Sequence, residues 1–409
     1  MRLALISYEF AGTATGGGIG TYARGAAAMM AARGHQVEVF TSAPADSHTL
    51  PAGVVVHDVP VERRCFPRAV ASQFEGRHIA QPFDVVEGPE FGAEAMEVAR
   101  SFPDLPLVVK LHTPTFLIDE IQHSYLSTLR KARFVLGGLR RGSLPKPYWR
   151  YDPVGDPERE HVLAASEITA PSLAILDVVR SRWNLEPERL AHIPNVFDPP
   201  ANLLTLPLAT KTSRITYLGR LEARKGVIEL AEAMRLVLTH APTAKFRLVG
   251  RSLPHPATGE DLAAYIRQQL GPYVDAVEFV DGLPYSEIAH TLGDTDICVF
   301  PSVWENLPYV CLEAMAAGRG VIASSGSGMA EIIDDGRTGR LVRPRDPRGL
   351  ADAILGLLGD PAGRVAMGEK ARAHVGAAYS SKVIGPLQEA SYLRAIERGR
   401  PRHAPGTAR

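Results

Sequence analysis

The chain has 409 residues, too many for one hydrophobic core, so two or more domains are expected. Hydrophobic residues make up 45% and charged residues 22%, the ordinary balance of a soluble globular enzyme. Lys plus Arg equals Asp plus Glu at 45 each, and this zero net charge argues against a generic nucleic-acid binder, which would carry a basic excess.

The amino terminus, MRLALISYEF, has only a short apolar run before Glu9 and does not read as a signal peptide. No unbroken apolar stretch reaches the ~18 residues that a membrane-spanning helix needs. Cys65, Cys298 and Cys311 are odd in number and lack metal-ligand spacing. Cys298 and Cys311 fall in apolar segments and read as core residues, so a reducing, cytoplasmic setting is expected.

Residues 3–7 predict a short apolar strand, followed by a glycine-rich loop and a helix over 19–33. Further strands are expected at 36–41, 54–56, 84–87 and 107–112, with a helix over 93–100. Residues 199–213, PPANLLTLPLATKTS, are rich in Pro, Thr and Ser and read as a linker. The pattern then restarts with strands at 215–218, 246–249, 277–280, 297–300 and 321–323. Helices are expected over 227–239 and from just after Leu307 to about Ala317, with Pro308 in the first turn of the second. Short apolar runs alternating with amphipathic segments predict an α/β protein with two doubly wound, Rossmann-like domains. Such sheets bind ligands beyond the carboxyl ends of their strands, so a central cleft at the domain boundary is the expected place for function. The tail from about Arg398 is basic and rich in Pro and Gly, and is expected to be disordered.

Several candidate residues stand at those carboxyl ends. The loop TGGGIGTY places Gly16, Gly17, Gly18 and Gly20 between the first strand and first helix. It either cradles an anion at the helix terminus or serves only as a turn; it matches neither the dinucleotide fingerprint nor a P-loop. His112 follows the strand at 107–112 and is either a ligand contact or a loop-packing residue. In the second half, GRLEARKG presents Gly219, Arg220 and Lys225. A guanidinium fork and a compact ammonium suit a diphosphate, although two solvated surface cations would read the same way. The stretch WENLPYVCLEAMAAG carries Glu305 in a loop and Glu313 on the helix that follows. The two carboxylates are either hooks for the hydroxyls of a sugar or ribose, or a solvated loop and helix face. The loop SSGSGMAEI at 324–332 opens another helix with Glu331 nearby. The triplet Asp294-Thr295-Asp296 resembles a metal–nucleotide motif but precedes its strand, at the end away from the expected cleft, and no metal is predicted.

Taken together, these segments resemble the retaining nucleotide-sugar glycosyltransferases of the GT-B fold, in the group (glycosyltransferase family 4, glycosyl transferases group 1) that carries the E-x7-E signature. The resemblance spans roughly residues 1–385 and includes LHTP around His112, HIPNVFD at 192–198, GRLEARKG, FRLVG, the WENLPYVCLEAMAAG segment and AEIIDDGRTGRLV. It implies catalytic roles for Arg220, Lys225, Glu305 and His112. Arg220 and Lys225 would hold the diphosphate, Glu305 and His112 the donor sugar, and Glu313 the ribose. Gly17, Gly18, Gly219, Asn306 and Leu307 would complete the donor site. The resemblance further implies no cofactor, with a nucleotide diphosphate sugar as co-substrate and an acceptor hydroxyl on a glycan, a lipid-linked group or a small molecule. A same-fold epimerase or glycoside phosphorylase is the alternative, as is a nucleotide-sugar binder without turnover. This chain departs from the family at Val196, where a glycine is usual, and at Asn306-Leu307-Pro308-Tyr309, where Pro-Phe-Gly is common.

The domains expected on this basis are 1–200 for acceptor binding, 201–380 for donor binding, and a helix over 381–398 crossing back to the first domain. Residues 113–151 read as an insertion of the first domain, with seven Lys or Arg against Asp119 and Glu120. It is either a membrane-surface or acidic-acceptor element, which would make the protein peripheral at the inner face of the membrane, or a solvated insertion with its own helices.

Overall fold

A computed structural model describes residues 1–10, 17–42 and 50–399. Gly16 and the tail from residue 400 lie outside the described residues, whereas Arg398 and Gly399, expected in that tail, belong to the final helix Ser381–Gly399. The chain forms two compact units. The first comprises Met1–Pro114, Asp152–Phe197 and the chain from Tyr379 onward; the second comprises Thr115–Tyr151 and Asp198–Ala378.

The first unit is built on a seven-stranded sheet of β1 (Arg2–Ile6), β2 (Gln36–Thr41), β3 (Val54–Asp58), β4 (Val85–Pro89), β5 (Leu107–Lys110), β6 (Glu167–Ala170) and β7 (Leu190–His192), in the order β3-β2-β1-β4-β5-β6-β7. The second holds a six-stranded sheet of β8 (Arg214–Leu218), β9 (Lys245–Val249), β10 (Val277–Val280), β11 (Ile297–Phe300), β12 (Gly320–Ser324) and β13 (Arg340–Val342), in the order β10-β9-β8-β11-β12-β13. Every pair is parallel. The central strands are buried along their whole length, which is why they read as unbroken apolar runs. The strand order reverses once in each sheet, between β1 and β4 in the first and between β8 and β11 in the second. The β8–β11 ladder is registered at Ile215–Ile297 and Thr216–Cys298 and stops short of the carboxyl ends, which leaves room for loops at the reversal.

Several expectations need correction. The helix expected over 93–100 is a short turn, Phe91–Ala93, followed by a helix Met96–Ser101, because Gly92 and Ala93 take left-handed backbone at φ 71° and 49°. Pro308 precedes its helix, Tyr309–Ala316, as an extended cap. Val196 keeps a negative φ and is buried, so the turn in HIPNVFD forms without glycine geometry. β6, β7 and β13 lie outside the strands read from apolar runs. β6 contains the buried Glu167, whose carboxylate is neutralised by Arg394 and Arg398 of the final helix.

Residues 115–151 are part of the second unit and not an insertion of the first. The Tyr125 hydroxyl donates to the Ala223 carbonyl at 3.1 Å, and the Arg345 guanidinium lies 4.7 Å from the Tyr125 ring centre. The stretch expected as a linker is likewise packed on the second unit. It contains a short helix, Ala201–Leu204, and three arginines donate into the backbone that follows. Arg372 bonds the Leu206 carbonyl, Arg364 the Thr210 carbonyl, and Arg319 the Pro207 carbonyl. Arg319 is fully buried and also serves the carbonyls of Thr295 at 3.1 Å and Ala317 at 2.7 Å. Removing it strands several buried acceptors, each costly when unpaired. Arg319→Ala is therefore expected to lower unfolding free energy by about 3 kcal/mol in urea titration. A loss below about 1 kcal/mol would show that the strap is not held this way.

Candidate active site

The loop after β8 begins at Gly219, whose φ of 148° turns the chain sharply. A Cβ on Gly250, at the end of β9, would lie 2.0 Å from the Gly219 carbonyl oxygen, so the two loops meet backbone to backbone. The buried Tyr217 donates its hydroxyl to the Arg220 carbonyl at 2.6 Å and fixes the loop from below. A single turn, Ala223–Lys225, follows and ends at Gly226 with φ 72°. A Cβ at Gly226 would fall 1.9 Å from the Pro301 carbonyl oxygen, so only glycine lets this loop touch the loop after β11. The Val303 amide then donates to the Arg224 carbonyl at 2.8 Å.

That approach brings the charged side chains together. Lys225 pairs with Glu305. Arg224, buried and absent from the residues singled out in the sequence, reaches Glu305 at 3.2 Å, the Trp304 carbonyl at 3.2 Å and Glu222 at 2.7 Å. Glu222 also holds the half-exposed Arg220 at 3.2 Å. Arg220, Lys225 and Glu305 thus belong to one linked array at the reversal of the second sheet. Burial pushes the Lys225 ammonium well below its ordinary value; Arg224 adds to the push and Glu222 opposes it. The Glu305 carbonyl accepts from the Gly328 amide at 3.0 Å, which adds the 324–332 loop to the site. Asn306 and Leu307 follow Glu305 as buried loop residues.

Glu313 is on the second turn of Tyr309–Ala316 and is buried. Burial raises its carboxyl to about 7, and a hydrogen bond from the Tyr285 phenol opposes the rise. Tyr285 was not anticipated either; it comes from the loop after β10, remote in sequence from both glutamates.

The remaining predicted residues belong to the first unit. Gly17 caps the helix Gly18–Ala32 and donates its amide to Glu9 at 3.0 Å, while a Cβ on Gly18 would meet open space. The half-buried His112 follows β5; its amide donates to Glu90 at 2.7 Å and its ring meets the Tyr22 edge at 5.4 Å. Burial and the Lys110 ammonium push its imidazole down to about 3, so it is neutral. Around it, burial and Glu158 raise Glu90 well above the carboxylate range, and burial raises Glu94 to about 8.

The Asp-Thr-Asp triplet has structural partners. Asp294 pairs with Arg214, and Asp296 accepts from the Ser213 amide at 3.0 Å and pairs with Arg364 at 3.2 Å. Among the described residues, no group of three or more His, Cys, Asp or Glu is arranged to hold a metal ion.

Two doubly wound parallel sheets are the architecture of the GT-B glycosyltransferases. The chain belongs to these glycosyltransferases: residues 16–200 match Glycosyltransferase Family 4, and residues 212–360 match Glycosyl transferases group 1. A D-inositol 3-phosphate glycosyltransferase of Arthrobacter sp. (strain FB24) is 27% identical over 90% of this chain and 87% of its own length. Among solved structures, a sucrose-phosphate synthase from Thermosynechococcus elongatus superposes with a TM-score of 0.71 at 21% identity, covering 97% of this chain and 99% of its own. Alr3699/HepE of Anabaena, solved in complex with UDP-glucose, gives 0.63 at 20% identity, covering 95% and 99%.

The buried Glu313 carries a consequence for stability. Between its ordinary value of 4.5 and about 7, the folded carboxyl keeps a proton that the unfolded chain has lost. Stability from this group therefore falls as pH rises through that window. Glu313→Gln should flatten the slope of unfolding free energy between about pH 5 and 7, and should match or exceed wild type by about 1–3 kcal/mol at about pH 8. Urea titrations across that range measure both, and identical slopes would contradict the assignment.

Proposed function

We propose that the protein transfers a sugar from a nucleoside diphosphate sugar to an acceptor hydroxyl, with retention of anomeric configuration and without a metal ion or cofactor. The carrying observation is the array at the β8–β11 reversal, where Arg220 and Lys225 flank Glu222 and Glu305. When the bond between the sugar anomeric carbon and the phosphate oxygen breaks, negative charge develops on the departing diphosphate. A guanidinium and an ammonium held there beforehand stabilise that charge without reorganisation. Glu305 would accept hydroxyls of the donor sugar, and Glu313 those of the ribose. Gly219, Asn306 and Leu307 would line the donor with backbone groups. In the first unit, neutral His112 can exchange hydrogen bonds with a sugar hydroxyl, and Gly17 and Gly18 present a helix terminus to an anion.

Retention follows if the acceptor oxygen bonds the anomeric carbon from the face the diphosphate leaves, its proton passing to the leaving phosphate oxygen. The two cations supply the charge that a metal would otherwise provide, and the aspartates of the Asp-Thr-Asp triplet are engaged by Arg214 and Arg364. A UDP-glucose complex of the Anabaena neighbour supports a nucleotide-sugar donor. The name of the Arthrobacter relative makes a phosphorylated cyclitol the first acceptor to test.

Incubation with UDP-, GDP- and ADP-sugars and such acceptors should yield a product with the donor's anomeric configuration by proton NMR, at a rate unchanged by EDTA. Lys225→Ala should lower kcat/KM by about 10²–10³-fold. An inverted product would overturn retention, and intact turnover in the variant would overturn the role of Lys225.

A further inference from the structure

The segment 115–151 carries exposed leucines and arginines that take no part in the array described above. Its helix Thr128–Arg140 is capped by Ser127, which accepts from the Arg130 amide at 3.2 Å. The inner side is occupied: Phe134 packs edge-on to Tyr148 and Trp149 at 5.1 and 5.3 Å. Gly138 is buried under Pro145, which folds the loop carrying Leu144 back onto the helix. The outer side is open to solvent. Leu129, Leu136, Leu139 and Leu144 are 59, 55, 52 and 80% exposed.

Leu129, Arg133, Leu136 and Arg140 fall at i, i+4, i+7 and i+11, one stripe of the helix, so exposed leucines alternate with exposed arginines. From residue 125 to 150 there are seven Lys or Arg and no Asp or Glu, in a chain whose net charge is zero. Singly exposed leucines are common, but four together within a block of unbalanced positive charge mark an interaction surface.

We infer that this face docks on an anionic lipid surface. The leucines would enter the headgroup–acyl boundary while the arginine stems run beside them and the guanidinium groups reach lipid phosphates. Among the described residues, no helix is long and apolar enough to cross a membrane, so the contact lies in the interface plane. The excess of Lys and Arg over Asp and Glu in this segment matches an anionic leaflet and is what selects lipid over a second copy of this chain, which would bring like charge against like. The segment is tied to the rest of the second unit through Tyr125, whose hydroxyl bonds the Ala223 carbonyl at 3.1 Å and Glu229 at 3.1 Å.

Flotation of the full chain with vesicles tests this independently of any activity. At low salt, vesicles containing phosphatidylglycerol should carry at least tenfold more protein than pure phosphatidylcholine vesicles, and 0.5 M NaCl should remove most of the difference. The double variant Leu136→Ser/Leu139→Ser and the separate Arg133→Glu/Arg140→Glu should each reduce flotation at least fivefold. All these side chains are exposed, so the thermal midpoint should stay within a few degrees of wild type. No flotation of wild type with anionic vesicles would overturn the inference. So would flotation that neither variant alters. Lipid-free dimerisation that the leucine variant abolishes would assign the face to a second copy instead, and would overturn it equally.

Discussion

The ion pair between Lys225 and Glu305 joins the two loops that leave the second sheet on either side of its reversal, and much of the candidate site depends on it. Taking an unpaired ammonium or carboxylate out of water costs several kcal/mol, so each buried charge here must find a partner. Lys225 has Glu305; Arg224 has Glu305, Glu222 and the Trp304 carbonyl. The pairing is possible only because the backbones touch at Gly226 and Pro301, where no side chain fits. Close backbone approach thus sets the loop geometry, and charge neutralisation holds it. Lys225 and Arg224 are thereby held by protein partners at the junction of the two loops.

The first unit meets a related constraint differently. Glu87 on β4 is buried among Tyr22, Tyr392 and Gln388, at 2.8, 2.8 and 3.0 Å, and burial raises its carboxyl. Lys110 beside it is pushed down to about 7 and donates to the Ile193 carbonyl at 2.6 Å. These contacts, with Glu167, Arg394 and Arg398, fasten the final helix Ser381–Gly399 to the sheet. Burial makes the polar residues near β4 and β5 tend toward neutrality, His112 included; in the second unit it acts the same way on Glu313 and Lys225, whereas the neighbouring guanidinium groups outweigh it at Glu222 and hold that carboxyl below its ordinary value.

The sheet cores were legible because strands buried on both faces must be apolar, as in β1, β8 and β11. β6 was not, since Glu167 breaks its pattern and is neutralised by arginines more than two hundred residues away in sequence. Among the site residues, Arg220, Lys225, Glu305 and Glu313 stand out as charges at strand ends. Arg224 lies in the same GRLEARKG stretch, but only the single turn Ala223–Lys225 directs it inward, and nothing local in the sequence announces that turn. Tyr285 has no motif at all; its pairing with Glu313 is a product of the β10 loop's path. The segment 115–151 follows β5 of the first sheet in sequence, yet its tertiary partners are Ala223, Glu229 and Arg345, a choice that local patterning does not encode.

The central claim is that the Arg220–Lys225–Glu305 array receives the donor diphosphate. A crystal structure of the protein with a bound nucleoside diphosphate tests it most directly. The account predicts phosphate oxygens within hydrogen-bond distance of Lys225 Nζ and the Arg220 guanidinium, with the ribose hydroxyls on Glu313. A diphosphate bound elsewhere, with the Lys225–Glu305 pair untouched, would contradict it.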